Sequence, residues 1–368
     1  MKKTLAFIVT TFVLVFAGQG RAEINVTDVK GRHVTLAAPA QRVVLNFYYE
    51  DFIAVVGPGA MDKVVALSLS TWKDWRPNQF AAYLDAIHSL AALPDVGDTE
   101  NGTFSIEKVL SVKPDLVILS AWSFDALGEA VKQMETAGIP VVVLDYNAQT
   151  VEKHVQSTLV LGAVMGSRDR AQRLASQYEA AMQDIDRRIA KAKPTNKKVY
   201  VELAQKGPSE VGNSYGNGMW GSLIDRLGGT NIAKGQLENS GPLSPEYVLA
   251  QEPDIIFLAG SEWLDKPQAV TVGFGASKEI ARDRMKAYIA RPGWDGLPAV
   301  RNSALHAIYH GGARTLSDYV YAQYIAKQLY PDAFSDVDPA VEIKRYYDTW
   351  MPIKAEGVFV LPYRADGQ

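Results

Sequence analysis

The sequence predicts an α/β protein with two β/α lobes, each built on a mainly parallel central sheet, bridged by one long α-helix and separated by a ligand cleft. Two observations predict this fold class. Strand-forming runs alternate with helical runs on both sides of a long helical stretch, and such alternation implies parallel sheets covered on both faces. In addition, one sequence pattern occurs once in each half of the chain.

Composition narrows the class of protein. The chain has 368 residues, of which 47% are hydrophobic and 21% charged, values typical of a folded protein of about two domains. Lys and Arg number 38 against 41 Asp and Glu, and the net charge is −3, so no positive field is available to hold nucleic acid. We expect no nucleic-acid partner and a monomer.

The first 22 residues have the pattern of a secretory signal peptide. Lys2 and Lys3 precede an apolar run over 5–17, which is shorter than the roughly 20 residues that a membrane-spanning helix needs. We expect cleavage after Ala22. Because the sequence contains no cysteine, a disulfide, a thiolate metal site and a lipid-modified cysteine are excluded. We therefore expect the mature protein to be free in a bacterial periplasm, without a lipid anchor.

The first lobe is predicted over residues 23–150. Residues 23–36 alternate around Lys30 and Gly31 as a small hairpin does. Helical segments lie between the strands that follow, and the clearest of them covers 126–137 and ends at Gly138. The predicted strands are 42–47, 63–68, 116–120 and 141–145.

A bridging helix is predicted over residues 151–193, because apolar residues there keep a helical period up to Pro194. It is one long helix, or two joined near Gly166. The second lobe is then 194–368, and a single larger sheet is the alternative architecture. The predicted strands of this second series are 199–203, 254–259 and 305–309.

The repeated pattern is Ser-x-Glu-x-Val-Leu-x-x-x-Pro-Asp, at 105–115 and 244–254. The serines are predicted to cap short helices, whose dipoles favour Glu107 and Glu246 in the first turn. The glutamates then have two interpretations. They stabilise helix N-termini, or they place one exposed carboxylate on each lobe as a docking pair for basic pockets on a two-fold partner.

These features together resemble the bacterial periplasmic binding proteins that serve ABC importers of ferric siderophores, heme and cobalamin. The resemblance covers essentially the whole mature chain. It rests on the opening hairpin with Asp28, Gly31 and Val34 leading to Pro39, Arg42 and Val43, on the two repeated units, on the stretch 227–231, and on Trp294, Leu297, Ala299 and Val300 before a strand.

The resemblance implies two similar lobes that close only slightly over the ligand. It also implies that one glutamate on each lobe engages arginines of an inner-membrane permease, and by position these are Glu107 and Glu246. The function implied is capture of a ferric siderophore and its delivery to that permease. Molybdate or tungstate, bare ferric ion, heme and cobalamin are the alternative ligands, and no resident cofactor is expected.

Candidate ligand-binding residues follow the predicted strands, because parallel sheets bind ligands outside the carboxyl ends of their strands. Aromatic rings combined with Arg and Lys suit a flat or anionic ligand, such as a ferric siderophore. Packing explains Tyr49, Trp75, Arg76 and Trp263 better than ligand contact does. The predicted ligand-binding residues are Tyr48, Trp72, Lys73, Trp122, Tyr215, Trp220, His310 and Arg314.

His310, followed by two glycines, is suited either to ligate a metal or to hydrogen-bond an anion. The other histidines do not follow predicted strands, so no direct metal site is expected. An enzymatic alternative is a serine esterase with Ser214 in a Gly-x-Ser-x-Gly pattern and Asp254 or Asp265 with His310 as partners. The residues around Ser214 lack the strand and helix that such a nucleophile needs, so we predict that the protein is not an enzyme.

Overall fold

The computed structural model describes residues 23–364, so the predicted signal peptide lies outside the described residues. Within that range the chain forms two central sheets, of four and five strands. The four-stranded sheet is wholly parallel. The five-stranded sheet is parallel except for one antiparallel strand at its edge. This confirms the predicted α/β class with two lobes. No helix in this part of the chain is long and apolar enough to cross a membrane.

The first lobe opens with the predicted hairpin, β1 (Ile24–Thr27) and β2 (His33–Leu36), in antiparallel register. Its sheet has the strand order β4-β3-β5-β6. All residues of β5 and β6 are buried, which explains why these strands are continuous apolar runs rather than alternating ones. The sheet strands are β3 (Val43–Leu45), β4 (Val64–Leu67), β5 (Leu116–Ser120) and β6 (Val141–Leu144).

The helix predicted over 126–137 is wrong in its boundaries, because the structure has two helices there. Ser120 caps the first one directly after β5. Gly128 then interrupts the helical backbone with a φ of 45°, a conformation that glycine adopts most readily. The helices of this lobe are α1 (Tyr49–Val56), α2 (Leu69–Lys73), α3 (Pro77–Ala86), α4 (Ile106–Ser111), α5 (Ala121–Leu127) and α6 (Glu129–Thr136), with 3₁₀ turns at Ala60–Lys63 and His88–Ala92.

The predicted bridging segment forms two helices that meet near Gly166, which is the second of the two forms that the sequence predicts. The chain forms α7 (Val151–Met165) and α8 (Arg168–Lys191), separated at Gly166, which has a φ of 73°. The His154 ring stacks on the Tyr178 ring with centroids 4.8 Å apart, so α8 folds back against α7 as a helical hairpin. At 24 residues, α8 is about 36 Å long. The division of the chain at residues 150 and 193 remains our proposal.

The second sheet has the order β15-β13-β11-β7-β9, with β15 antiparallel at one edge. Its strands are β7 (Lys198–Leu203), β9 (Thr230–Asn231), β11 (Ile255–Gly260), β13 (Leu305–Tyr309) and β15 (Val360–Pro362), and the short strands β8 (Asn213–Tyr215), β10 (Ser240–Pro242), β12 (Gly273–Phe274) and β14 (Gly357–Val358) form two small ribbons. The helices are α9 (Met219–Arg226), α10 (Pro245–Gln251), α11 (Lys278–Ile289), α12 (Pro298–Arg301), α13 (Asp318–Leu329) and α14 (Pro339–Trp350), with 3₁₀ turns at Trp294–Gly296 and His310–Gly312.

Candidate ligand-binding site

Phe47 and Tyr48 follow β3 at the carboxyl edge of the first sheet. Tyr48 precedes α1 in the left-handed conformation, with a φ of 59°, which costs free energy in a residue other than glycine. Its hydroxyl donates to Oδ1 of Asn147 at 3.0 Å. Burial, and after it the charge of Asp145, raises the pKa of Tyr48, so the side chain is a neutral phenol.

Phe47 is the centre of an aromatic cluster. Its ring centroid lies 5.1 Å from that of Tyr48, 5.6 Å from that of Trp122 and 6.3 Å from that of Trp75, all edge to face. The guanidinium carbon of Arg314 lies 5.3 Å from the Phe47 centroid, within cation–π range. Because Arg314 follows β13 of the second sheet, this cluster is shared by both lobes.

Two arginines meet beside this cluster. Nη1 of Arg76, just before α3, lies 3.9 Å from Oε2 of the buried Glu50. Arg314 has no ion pair within residues 23–364, and its Nε atom is buried there without a hydrogen-bond partner. Burial, followed by the charge of Arg76, lowers the pKa of Arg314 to about 10. Two guanidiniums of which only Arg76 has an ion pair within residues 23–364 favour an anionic ligand.

His310 is held by Trp220, whose indole N–H donates to Nδ1 at 3.2 Å. An indole nitrogen can only donate, so Nδ1 accepts and the neutral ring carries its proton on Nε2. Burial, followed by the charges of Arg314 and Arg76, lowers the pKa of His310 well below its usual range. The ring also stacks on Tyr215, with centroids 6.1 Å apart. His310 is therefore a neutral hydrogen-bond donor, which suits an anion better than a metal ion.

Three residues that follow the strands differ in how deeply they are buried. Trp72 is fully buried, stacks on Tyr49 with centroids 4.6 Å apart and donates to Oε1 of Gln79 at 2.9 Å. Lys73 is exposed at the end of α2, without an ion pair to any residue of the described range. Trp263 is half-buried, with its ring 6.2 Å from that of His310. Of the predicted ligand-binding residues, the structure brings together Tyr48, Trp72, Trp122, Tyr215, Trp220, His310 and Arg314, with Phe47, Trp75, Arg76 and Trp263.

The space beside Arg76 and Arg314 is nearly closed. Its volume is about 10 Å³, roughly what one water molecule needs. Phe47, Tyr48 and Trp72 are among the residues that line it. A ligand larger than water therefore enters only after the lobes or these side chains have moved apart.

The geometry of a serine esterase is not present. Ser214 lies in β8, which pairs with β10, and not at a turn from a strand into a helix. Its hydroxyl is buried without a hydrogen-bond partner among residues 23–364, whereas Nδ1 of His310 is occupied by Trp220. Asp254 accepts from the backbone N–H of Lys198 at the beginning of β11. Residues 23–364 contain no group of three or more His, Asp or Glu that could hold a metal ion.

The two repeated units fold as the sequence predicts at their first turns. The hydroxyls of Ser105 and Ser244 cap α4 and α10, and Glu107 and Glu246 are exposed in the first turns. The Ser105 hydroxyl donates to Glu107 at 2.9 Å. The backbone N–H of Glu107 and this hydroxyl lower the pKa of Glu107. Glu246 lines a surface groove of about 340 Å³ that also contains Arg291.

Sequence reasoning did not select Phe47, Glu50 or Glu262 and ranked Arg76 low. Phe47 lies two residues after β3, but the predicted strand 42–47 included it, so the rule that selected Tyr48 did not select it. Glu262 lies two residues after β11, where the same rule applies to a buried acid. Nothing in the sequence around Glu50 indicates that its carboxylate reaches Arg76.

Comparison with known proteins identifies the family. Residues 43–309 match the family model described as periplasmic binding protein. The crystal structure of the TroA-like periplasmic binding protein FepB from Veillonella parvula has a TM-score of 0.88 and 32% sequence identity, covering 93% of this chain and 100% of that one. The ABC transporter substrate-binding lipoprotein YvrC of Bacillus subtilis, which is described as uncharacterized, is 22% identical over 321 residues, or 85% of this chain and 87% of its own.

The molybdate-binding protein MolA of Haemophilus influenzae is similar over a comparable length. It is 23% identical over 349 residues, which is 89% of this chain and 90% of its own. These matches agree with the two parallel sheets and with the family that the sequence resembles. The chain therefore belongs to the periplasmic binding protein family, as a substrate-binding component of an ABC transporter and not as an enzyme.

Proposed function

We propose that the protein captures a negatively charged ferric siderophore in the periplasm and delivers it to an inner-membrane permease. The observation that carries this proposal is the pair of close guanidiniums, of which Arg314 has no carboxylate partner within residues 23–364. An anionic chelate would neutralise both. The rings around Phe47 supply rigid apolar contact for the organic part of such a ligand. The free, periplasmic location without a lipid anchor is part of the proposal.

These charges and the hydrogen bond from Trp220 to His310 argue against a bare ferric ion, an uncharged ligand and heme. A bare ferric ion would be repelled by Arg76 and Arg314, and burial raises the pKa of Tyr48 and Tyr215, which disfavours the tyrosinate form that binds iron. An uncharged ligand would leave Arg314 without a counter-ion. Heme is disfavoured because Nδ1 of His310 already accepts from Trp220, so an Nε2 lone pair for iron would require breaking that bond.

A small tetrahedral oxyanion such as molybdate is the second candidate. The space at the two arginines is only about 10 Å³, so a small ligand requires less opening than a chelate does. The neutral His310 would donate from Nε2 while the arginines supply the charge. The similarity to MolA, which is named for molybdate binding, supports this candidate.

A fluorescence titration tests the proposal and separates the two candidates. The protein has seven tryptophans, and Trp75, Trp122, Trp220 and Trp263 lie at the proposed site. We would titrate it with ferric catecholate, citrate and hydroxamate chelates, heme, cobalamin, ferric ion, molybdate and tungstate. Saturable quenching by the anionic ferric chelates, absent with the iron-free chelators, is expected. A response to molybdate and tungstate alone would replace the first candidate with the second, and a response only to cobalamin or to uncharged chelates would overturn both.

Replacement of Arg314 by Gln is expected to weaken binding of the anionic ligand by about 10- to 100-fold, the value of a charge-assisted hydrogen bond in a partly buried site. The matched control is Arg301→Gln, because Arg301 is an exposed arginine at the end of α12. This variant should leave the dissociation constant unchanged. Both variants are measured by the same titration. Equal affinity of the Arg314→Gln variant and the parent would remove Arg314 from the site.

A further inference from the structure

The lobes touch each other beside the ligand-binding site, where Trp75, Arg76 and the beginning of α3 meet residues that follow β11. Nδ2 of Asn78 donates to the carbonyl of Phe274 at 2.9 Å. The Ser261 hydroxyl donates to the carbonyl of Trp75 at 3.4 Å. Since α3 belongs to the first lobe and these partners to the second, the contacts exist only when the lobes are together.

Glu262 lies in the middle of this contact. It is 6% exposed, the Ser261 hydroxyl lies 3.1 Å from its Oε2, and the backbone N–H groups of Glu262 and Gln79 also act on the carboxylate. Its other oxygen, Oε1, is buried without a partner in that range, and so is Nε2 of Gln79 in the first turn of α3. A buried carboxylate with so few donors is costly when it is ionised.

The charges around Glu262 come from several elements. Arg76, before α3, carries the positive charge that acts on it. The hydroxyls of Tyr309 in β13 and Tyr321 in α13 interact with it, and Glu50 in α1 shares Arg76. Burial outweighs Arg76 and the nearby N–H groups and raises the pKa of Glu262 to about 7.

We propose that Glu262 is a positioning residue that couples lobe closure to protonation: bringing its carboxyl group against Arg76 and the beginning of α3 takes up one proton. When the lobes are apart, water surrounds the carboxyl group and its pKa returns to about 4.3. The closed state therefore binds the proton more tightly, and closure is favoured as the pH falls below about 7. The effect levels off below about pH 4.3, where both states are protonated.

The inference goes beyond the proposed function, and its test needs no ligand, so either can fail alone. Fluorescent labels at cysteines introduced by Lys132→Cys and Lys286→Cys, one exposed position on each lobe in a chain without cysteine, report the distance between the lobes. Between pH 8 and pH 6 Glu262 should contribute about a tenfold shift of the closing equilibrium toward the closed state, and the difference between the parent and Glu262→Gln isolates this contribution from those of His310 and Asp51. Glu262→Gln should remove this tenfold component, because a neutral amide has no proton to bind.

Two further variants make the result decisive. Glu279→Gln, an exposed first-turn glutamate of the same lobe, should keep the full response. If Glu262→Gln does not fold, Arg76→Gln serves instead, and it should begin to close at a higher pH because the charge that lowers the pKa of Glu262 is gone.

Asp51, which accepts from the backbone N–H of Leu316 at 2.7 Å and has a pKa raised by burial, contributes a separate response that Glu262→Gln leaves in place. The same pH response in Glu262→Gln and in the parent protein would overturn the proposal.

Discussion

Replacement of both Glu107 and Glu246 by Lys, which reverses the two charges, is expected to reduce transport by at least about 100-fold while ligand affinity stays unchanged. Like charges placed opposite each other at an interface cost several kcal/mol, and the proposed permease sites are basic. Both glutamates are exposed in the first turn of a capped helix, and neither lines the space beside Arg76 and Arg314. The measurement is uptake, in cells that lack the unaltered protein, of whichever compound quenches the tryptophan fluorescence.

The protein offers a matched control for this experiment. Ser277 caps α11, and its hydroxyl donates to Glu279 at 2.7 Å, the same local arrangement as at Ser105 and Glu107. Glu129 is likewise in the first turn of α6. Glu129→Lys with Glu279→Lys therefore changes the net charge equally and should leave uptake intact. Loss of ligand affinity in the Glu107→Lys and Glu246→Lys protein would contradict the separation of docking from binding.

Replacement of Arg291 by Met is expected to lower the free energy of unfolding by about 3–5 kcal/mol, because it leaves a buried carboxylate without its counter-ion. Arg291 contacts Glu202 through two nitrogens, at 2.6 and 2.9 Å, and the Glu202 side chain is fully buried. The guanidinium also lies 4.3 Å from the centroid of Tyr288 and 4.9 Å from that of Trp294. Urea denaturation followed by circular dichroism measures the change.

A second variant distinguishes loss of the ion pair from loss of packing. Glu202→Gln combined with Arg291→Met removes both charges, so the double variant should be more stable than Arg291→Met alone. Lys132→Met, at an exposed ion pair with Glu129, should change stability by less than about 1 kcal/mol. A double variant as unstable as the single one would show that the stacking of Arg291 on its aromatic neighbours, and not the charge, stabilises this region.

Features that depend on neighbouring residues in the sequence could be predicted. The capping serines and the strand at 116–120 agree with the structure because side chains a few residues apart determine them. The sequence allowed either one helix over 151–193 or two joined near Gly166, and it could not decide between them, because the apolar residues keep a helical period on both sides of Gly166. A glycine there allows both a continuation and a reversal of the helix, and packing between distant residues such as His154 and Tyr178 decides.

The residues of the candidate site could likewise be predicted only in part from the sequence. Aromatic residues after a strand can face the cleft or the core, and the stacking of Trp72 on Tyr49 could not be inferred from their positions in the sequence. Arg76 and Arg314 are far apart in the chain, and they interact because the two sheets face each other. The carboxyl-edge rule selects residues from each sheet separately, but the relative placement of the sheets determines which of them meet.

The groove beside Glu246 has a consequence for genetics. Arg291 lines this groove together with Tyr200 and Trp294, so the ion pair that stabilises the second lobe lies under the surface proposed to meet the permease. A screen for mutants that no longer import the solute would recover changes at the buried Glu202 and at the exposed Glu246 alike, and their location at the same groove would suggest one shared defect. Protein abundance in the periplasm separates them, because an unstable variant is degraded while a docking variant accumulates.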